Sequence, residues 1–299
     1  VPLSINQIHT SVTAAGRIGY ASPAAASGGS GFTYRSGKNL LYEGSIIAGV
    51  SAAQISSSSR GTTAVPDQDF IQLAAEPLTL LRPGSLTDEE STLSLKDDHA
   101  NAPMNILVKQ HTFASKSAGM EDFIILRYQI TNQGAQTLSN FHFGLFFDWD
   151  VDEDQSDANR VDYDAGRRLG YVYNATAEPG THVGCALLSE GTVSYRAILN
   201  DELAPGNPGW GIYDGFSDAE KWEAISSGTA IQQAGSGDVS QVVAAGPYQI
   251  QSQQTITVDF ALLAGDDLAA LQGHTDKANE FRNQVLLTTA DSAVLHLKA

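Results

Sequence analysis

The chain has 299 residues, 42% of them hydrophobic and only 17% charged, which is enough apolar material to bury a sizeable core under an uncharged polar surface. Its 17 Lys and Arg stand against 34 Asp and Glu, and the net charge of −17 argues against partners such as nucleic acid or anionic membrane surfaces. A single cysteine, Cys185, excludes an internal disulfide, no Cys/His spacing suits zinc, and no apolar run approaches the roughly 18 residues of a membrane span. Because the chain begins Val1-Pro2 rather than with Met, removal of a leader is expected, and with it an extracellular or cell-surface location.

Period-two alternation of apolar and polar residues dominates the pattern and predicts strands. Taken along the chain, strands are expected at 16–20, 44–50, 69–75, 78–81, 105–114, 122–131, 141–151, 168–174, 182–188, 193–198, 240–245, 255–263 and 293–297. The alternation is clearest at 255–263, where Ile256, Val258, Phe260 and Leu262 share one face, and at 141–151, where Phe141, Phe143, Leu145, Phe147, Trp149 and Val151 do. Gly/Ser/Ala-rich stretches at 21–31 and 52–63 read as loops. Two helices carry start signals. Ser217 and Glu220 have the spacing of a capping box, opening a helix through Trp222 and Ile225 that stops at Gly228. Asp266 is the expected N-cap of a second, in which Leu268, Leu271, Ala278, Phe281 and Val285 recur at helical spacing. Many short strands between turns predict an all-β fold: one large two-layer β-sandwich domain over 1–299 with two short peripheral helices.

The segment 148–164 holds the densest charge in the chain. Eight carboxylates there face one cation, Arg160. Continuing the strand puts Asp148, Asp150 and Asp152 on the face opposite Phe147, Trp149 and Val151, with same-face neighbours about 7 Å apart, where like charges repel unless something positive lies among them. A hard cation would relieve the repulsion, and an oxygen-only ligand set favours Ca²⁺. The expected metal ligands are therefore Asp148, Asp150, Asp152, Asp154, Asn159 and Asp164. The spacing is not that of an EF-hand, because Gln155 stands where that loop needs Gly and Val161 where it needs Glu.

Catalytic patterns are scarce. No nucleophile elbow, HExxH, P-loop or dinucleotide fingerprint occurs, and the seven histidines are scattered. Paired carboxylates suit a glycosidase only if one is held protonated in a less polar setting, and the sequence supplies no such pocket. Trp149, Trp210 and Trp222 are expected to pack in the core in preference to forming a sugar-stacking platform.

Several segments together carry a resemblance. They are 39–49, Tyr128-Gln129-Ile130-Thr131-Asn132, Gly144-Leu145-Phe146-Phe147-Asp148-Trp149-Asp150, Asp214-Gly215-Phe216-Ser217-Asp218-Ala219-Glu220-Lys221-Trp222, 244–247 and 260–268. In these the chain resembles the non-catalytic β-rich region of secreted Bacteroidota-type proteins, which follows subtilisin-like protease domains and precedes a type IX secretion sorting signal. The resemblance implies a cell-surface location and an accessory or structural role, and it supplies no catalytic residue. Neither a protease nor a sorting domain is present in these 299 residues.

The expectation is thus a secreted, non-catalytic structural protein, a surface, matrix or filament subunit stabilised by Ca²⁺ and not an enzyme. Self-association is expected through the terminal strands, since residues 1–13 carry Leu3, Ile5 and Ile8 among polar residues and can pair with a sheet edge. The rival readings are an accessory module of a secreted protease and a carbohydrate-binding or glycoside-cleaving protein.

Overall fold

Alternating sequences become paired strands because each strand hides one face and shares its backbone hydrogen bonds with neighbours. The computed structural model describes residues 1–63, 65–152, 157–177, 179–207 and 209–287. In chain order its strands are β1 (Pro2–Leu3), β2 (Ile8–Ser11), β3 (Phe32–Tyr34), β4 (Leu41–Ser51), β5 (Gln54–Ser57), β6 (Ile71–Gln72), β7 (Thr79–Leu81), β8 (Glu89–Lys96) and β9 (Ile106–Ala114). They continue with β10 (Phe123–Asn132), β11 (Leu138–Trp149), β12 (Asn159–Asp164), β13 (Leu169–Asn174), β14 (His182–Leu187), β15 (Val193–Leu199), β16 (Ala234–Gly235), β17 (Val239–Ile250) and β18 (Thr255–Gly265). The helices are α1 (Asp218–Ser226) and α2 (Leu268–Phe281), the latter running on into a π-helical segment, Arg282–Leu286.

The expected all-β sandwich with two peripheral helices is what forms. A ten-stranded antiparallel sheet in the order β16-β12-β13-β14-β18-β10-β9-β8-β6, with β7 also on β8, faces a five-stranded sheet in the order β15-β17-β11-β4-β5. Between them lies the main core, in which Phe143 of β11 meets Tyr128 of β10 at 4.8 Å between ring centroids and Phe147 stacks on Trp149 at 5.2 Å. Each sheet also has an outer face that is partly apolar, and each helix covers one. Leu271 and Ala278 of α2 pack on Ile125, Ala261 and Leu263 of the large sheet. Ala224 and Ile225 of α1 pack with Phe146 and Val242 of the small one.

Both helix starts obey local capping chemistry. Ser217 and Glu220 form the reciprocal capping box, each side chain taking the other's backbone N–H. The second helix is capped one residue later than expected: Asp267, not Asp266, accepts the Ala270 N–H at 2.7 Å. Asp266 is drawn away to Arg35.

Other expectations are corrected. Residues 16–20 form no strand, because Gly16 and Gly19 take φ of +74° and +88° and break the extended run; Ile18 makes only isolated bridges to Val12 and Gly44. The stretch 52–63 contains the edge strand β5 as well as a loop. Strand β8 is absent from the expected set since it reads as polar, yet Glu89 and Glu90 are fully buried. Glu89 accepts the Ser4 N–H at 2.8 Å and pairs with Arg82, and Glu90 pairs with His111 at 2.8 Å. The expected strand at 293–297 lies outside the described residues.

The N-terminal segment is not a free donor strand. Pro2 and Leu3 pair with Thr10 and Ser11 of the same chain, the Val1 ammonium donates to the Val12 carbonyl at 2.6 Å, and Leu3, Ile8 and Val12 are buried in the main core. Its apolar residues are used at home, so the reading of strand exchange through residues 1–13 is corrected. No helix among the described residues is long and apolar enough to cross a membrane.

Candidate functional site

The acidic segment begins as its alternation predicts, with Phe147 and Trp149 turned into the core and Asp148 on the outer face of the small sheet. Across the sheet Asp148 lies beside Ser240 of β17 and Glu43 of β4, so two buried carboxylates stand directly opposite each other. The positive charge that this demands is Arg60. Its guanidinium binds Glu43 through Nε at 3.0 Å and Asp148 through Nη2, and Arg17 donates to Glu43 at 3.1 Å. The Asn200 amide and the Ser240 hydroxyl, each at 2.9 Å, complete the bonding of Asp148.

The network reaches the surface through Asp238. Asn200 Nδ2 also donates to Asp238 at 2.8 Å, and the half-exposed Tyr213 hydroxyl donates to its other oxygen at 2.9 Å. Burial, and then the nearby Asp148 charge, push the Asp238 carboxyl up to about 6. A carboxyl raised by burial is the less polar setting that the sequence alone did not offer.

The remaining expected ligands are dispersed. Asp150 follows the end of β11, its N–H on the Leu40 carbonyl at 3.0 Å, and Asp152 sits in a turn at φ +59°. Asn159 is buried with neither side-chain amide atom partnered. Asp164 lies on the outer face of the large sheet, bonded to Arg167 at 3.2 Å and to Gln272 of α2 at 2.9 Å. Asp154 lies outside the described residues. Asp148 and Asp164 therefore occupy opposite outer faces of the sandwich, and among the described residues no three His, Cys, Asp or Glu gather to hold a metal ion.

A different place on the large sheet has the form of a binding site. Registers along β16, β12, β13, β14 and β18 align Gly235, Arg160, Tyr173, His182 and Gly265 in one row of the outer face, with Asp162, Tyr171, Gly184 and Leu263 in the next. Helix α2 packs along this face, where Leu268 and Leu271 join Tyr171, Tyr173 and Leu263 in one apolar cluster and the Leu271 backbone lies over Gly265. Tyr171 and His182 are buried, Tyr173 is half-buried and Arg160 is exposed. The result is a cleft of about 560 Å³ lined by Arg160, Tyr171, Tyr173, Ala175, His182 and Leu268. A second cleft of about 260 Å³ shares Arg160 and Tyr173 with the first and extends toward Asp162, Gly206 and Gln233.

Within this groove Tyr173 stacks on His182 at 5.0 Å with the rings 7° from parallel, and Tyr171 lies 6.0 Å from Tyr173. His182 Nδ1 donates to the Gly180 carbonyl at 2.8 Å, which fixes the ring's orientation. Sequence reasoning missed this site, although Tyr171 and Tyr173 two residues apart in a strand already share a face; His182 and Arg160 join them only through register. The tryptophans pack as expected: Trp149 lies in the main core, and Trp210 and Trp222, partly buried, pack against the apolar cluster under α1, where Trp222 meets His142 at 5.2 Å and Trp210 lies under Arg196 at 4.3 Å.

No family model matches the sequence, and no curated protein matches it. Solved structures do match by fold. A bacterial glucoamylase complexed with acarbose superposes with a TM-score of 0.51 at 8% identity, covering 93% of this chain and 36% of that one. A putative aldose 1-epimerase from Escherichia coli K12 reaches 0.44 at 11% identity over 88% of this chain and 98% of its own. A glycoside hydrolase family 97 enzyme from Pseudoalteromonas sp. strain K8, in complex with acarbose, reaches 0.39 at 9% identity over 89% and 36%.

The chain shares its fold with part of the glucoamylase and spans about a third of that protein's length. This corrects two expectations, the structural filament or matrix subunit and the chain that is not an enzyme. A sandwich of this build is carried by a carbohydrate-processing enzyme, so missing catalytic motifs are no ground for a structural role. The same finding removes the reason for describing the chain by filament formation or as type IX secretion cargo.

Proposed function

We propose that this chain is the sandwich unit of a carbohydrate-active enzyme and that the Tyr171–Tyr173–His182 groove seats a saccharide. The observation that carries the reading is the half-buried Tyr173, stacked on the buried His182 and neighbour to the exposed Arg160, in a cleft of about 560 Å³. Sugar rings present apolar C–H faces and a rim of hydroxyls, and a site for them combines aromatic surface with a few polar groups of fixed direction. Phenol hydroxyls, an oriented imidazole and a guanidinium meet that description. The glucoamylase-like fold agrees with it. An extracellular setting, as the resemblance implies, is part of the proposal.

The test is titration calorimetry of the full chain against a panel of soluble oligosaccharides, together with assays for glycoside cleavage and aldose epimerisation. Saccharide binding is expected, with Tyr173→Ala weakening it by about tenfold, equivalent to about 1.4 kcal/mol, at an unchanged melting temperature. Binding unaffected by Tyr173→Ala, or no binding across the panel, overturns the reading.

A further inference from the structure

The groove holds a cation that the rest of the chain does not use. Each of the other nine arginines bonds a carboxylate or a backbone carbonyl: Arg127 and Arg282 clasp Asp259, Arg167 takes Asp164 and Asp276, and Arg168 takes the Leu188 and Ser189 carbonyls. Arg17, Arg35, Arg60, Arg82 and Arg196 likewise have carboxylate partners. Among the arginines, the Arg160 side chain alone makes no hydrogen bond or ion pair among the described residues, in a chain with 34 carboxylates and 17 cations. The nearest candidate by sequence is Asp162, two residues along the same strand face, and its Oδ1 takes the Tyr163 N–H at 2.8 Å instead.

Arg160 is exposed and lines both clefts, and the larger has no carboxylate among the described residues on its walls. A guanidinium is a planar fork of donors whose geometry matches a carboxylate or an oxyanion ester. Its neighbour across the strand pair is Tyr173, so an anionic substituent on Arg160 brings the attached ring over the aromatic pair. Against a net charge of −17, an acidic ligand needs a local cation to offset the overall repulsion, and Arg160 offers one in the groove.

We infer that the groove selects acidic saccharides, with Arg160 binding the anionic group while the sugar ring packs on Tyr173. This rests on the saccharide reading above. The anionic group is either a uronate carboxylate or a sulfate ester, and both are carried as arms of the test.

The experiment is calorimetry of the full chain with three oligosaccharides of matched length, one neutral, one built of hexuronate and one neutral but sulfated. It is run at two salt concentrations and repeated with Arg160→Gln and Arg160→Lys. One or both acidic ligands are expected to bind at least tenfold more tightly than the neutral one, and the arm that does so identifies the group. Arg160→Gln is expected to bring acidic binding down to the level at which the same variant binds the neutral oligosaccharide. Arg160→Lys, which keeps the charge and loses the fork, should retain part of the preference, and added salt should reduce it. Equal affinity for neutral and acidic ligands, or a preference that survives Arg160→Gln, overturns the inference while leaving the saccharide reading in place. If no ligand of the three binds, the saccharide reading itself fails.

Discussion

At the residue scale the polar interior of the small sheet's outer face is governed by one cross-strand juxtaposition. Glu43 and Asp148 are opposite each other and nearly fully buried, an arrangement that is destabilising unless their charge is compensated. Arg60 and Arg17 supply the compensation, and Asn200 links the pair to Asp238. Asp238 has a folded-state pKa of about 6, above the ordinary carboxylate range, because it is partly buried and lies near Asp148. The folded chain therefore holds a proton there that the unfolded chain releases, so stability falls as pH rises from about 4 to about 6 and levels off above. Asp238→Asn removes this contribution. Urea unfolding between pH 4 and 7 is expected to show a shallower loss of stability for the variant and a midpoint above that of the native chain at pH 7. Asp69, also pushed up to about 6 by burial, titrates in the same window, so the difference between the two proteins is the quantity to read.

At the scale of elements, helix α2 decides which part of the large sheet is open. Its Leu271 is fully buried against the apolar outer face, and the segment that follows is tethered where Arg282 joins Arg127 on the buried Asp259. Those two attachments fix the helix on the sheet beside Tyr171 and Tyr173. Leu271→Ala removes apolar contact and leaves a cavity at one of them, at a cost of about 2–5 kcal/mol. The expected result is a lower urea midpoint, with amide hydrogen exchange rising in 268–281 more than in the paired strands β10 and β18. Protection lost equally in the helix and the sheet would mean that α2 does not move as a separate unit. Helix α1 plays the corresponding part on the small sheet, where Phe146 and Phe216 pack at 5.2 Å beneath it.

At the scale of the molecule the two large sheets share a core that extends from Leu3 to Ala264 in sequence. The N-terminal strands β1, β2 and β3 form a small sheet of their own, with Leu3, Ile8 and Phe32 closing that core. Deleting residues 1–12 strips three buried apolar side chains, Leu3, Ile8 and Val12, from it, and with them the backbone partners that Ser4 and Ile5 give to the buried Glu89. A fall in melting temperature of more than 10 °C is expected, on the order of several kcal/mol for a chain of this size. A truncated chain that melts where the intact one does would show that the segment is dispensable and would reopen its use as an exchanged strand.

The sandwich was legible from residues alone because period-two alternation is a local consequence of strand geometry, and β10, β11 and β18 carry it except where a helix covers the outer face, at Ile125, Phe146, Ala261 and Leu263. Both helices were legible for the same reason, since capping and 3.6-residue periodicity act within a turn or two. Even the charge problem at Asp148 was visible, as a crowding of carboxylates that required a positive partner. Which partner answered it was not, because Arg60 lies 88 residues away and meets Asp148 only when β4 and β11 pair. Strand β8 escaped notice because its glutamates read as exposed, whereas donors outside the strand, from Ser4 and Arg82 to Glu89 and from Thr87 and His111 to Glu90, let them be buried. The groove is the clearest case. Arg160, Tyr173 and His182 become one row only through the registers of three strands, with Arg160 exposed, Tyr173 half-buried and His182 buried. Local interactions determined the elements, and long-range pairing alone decided which side chains share a site.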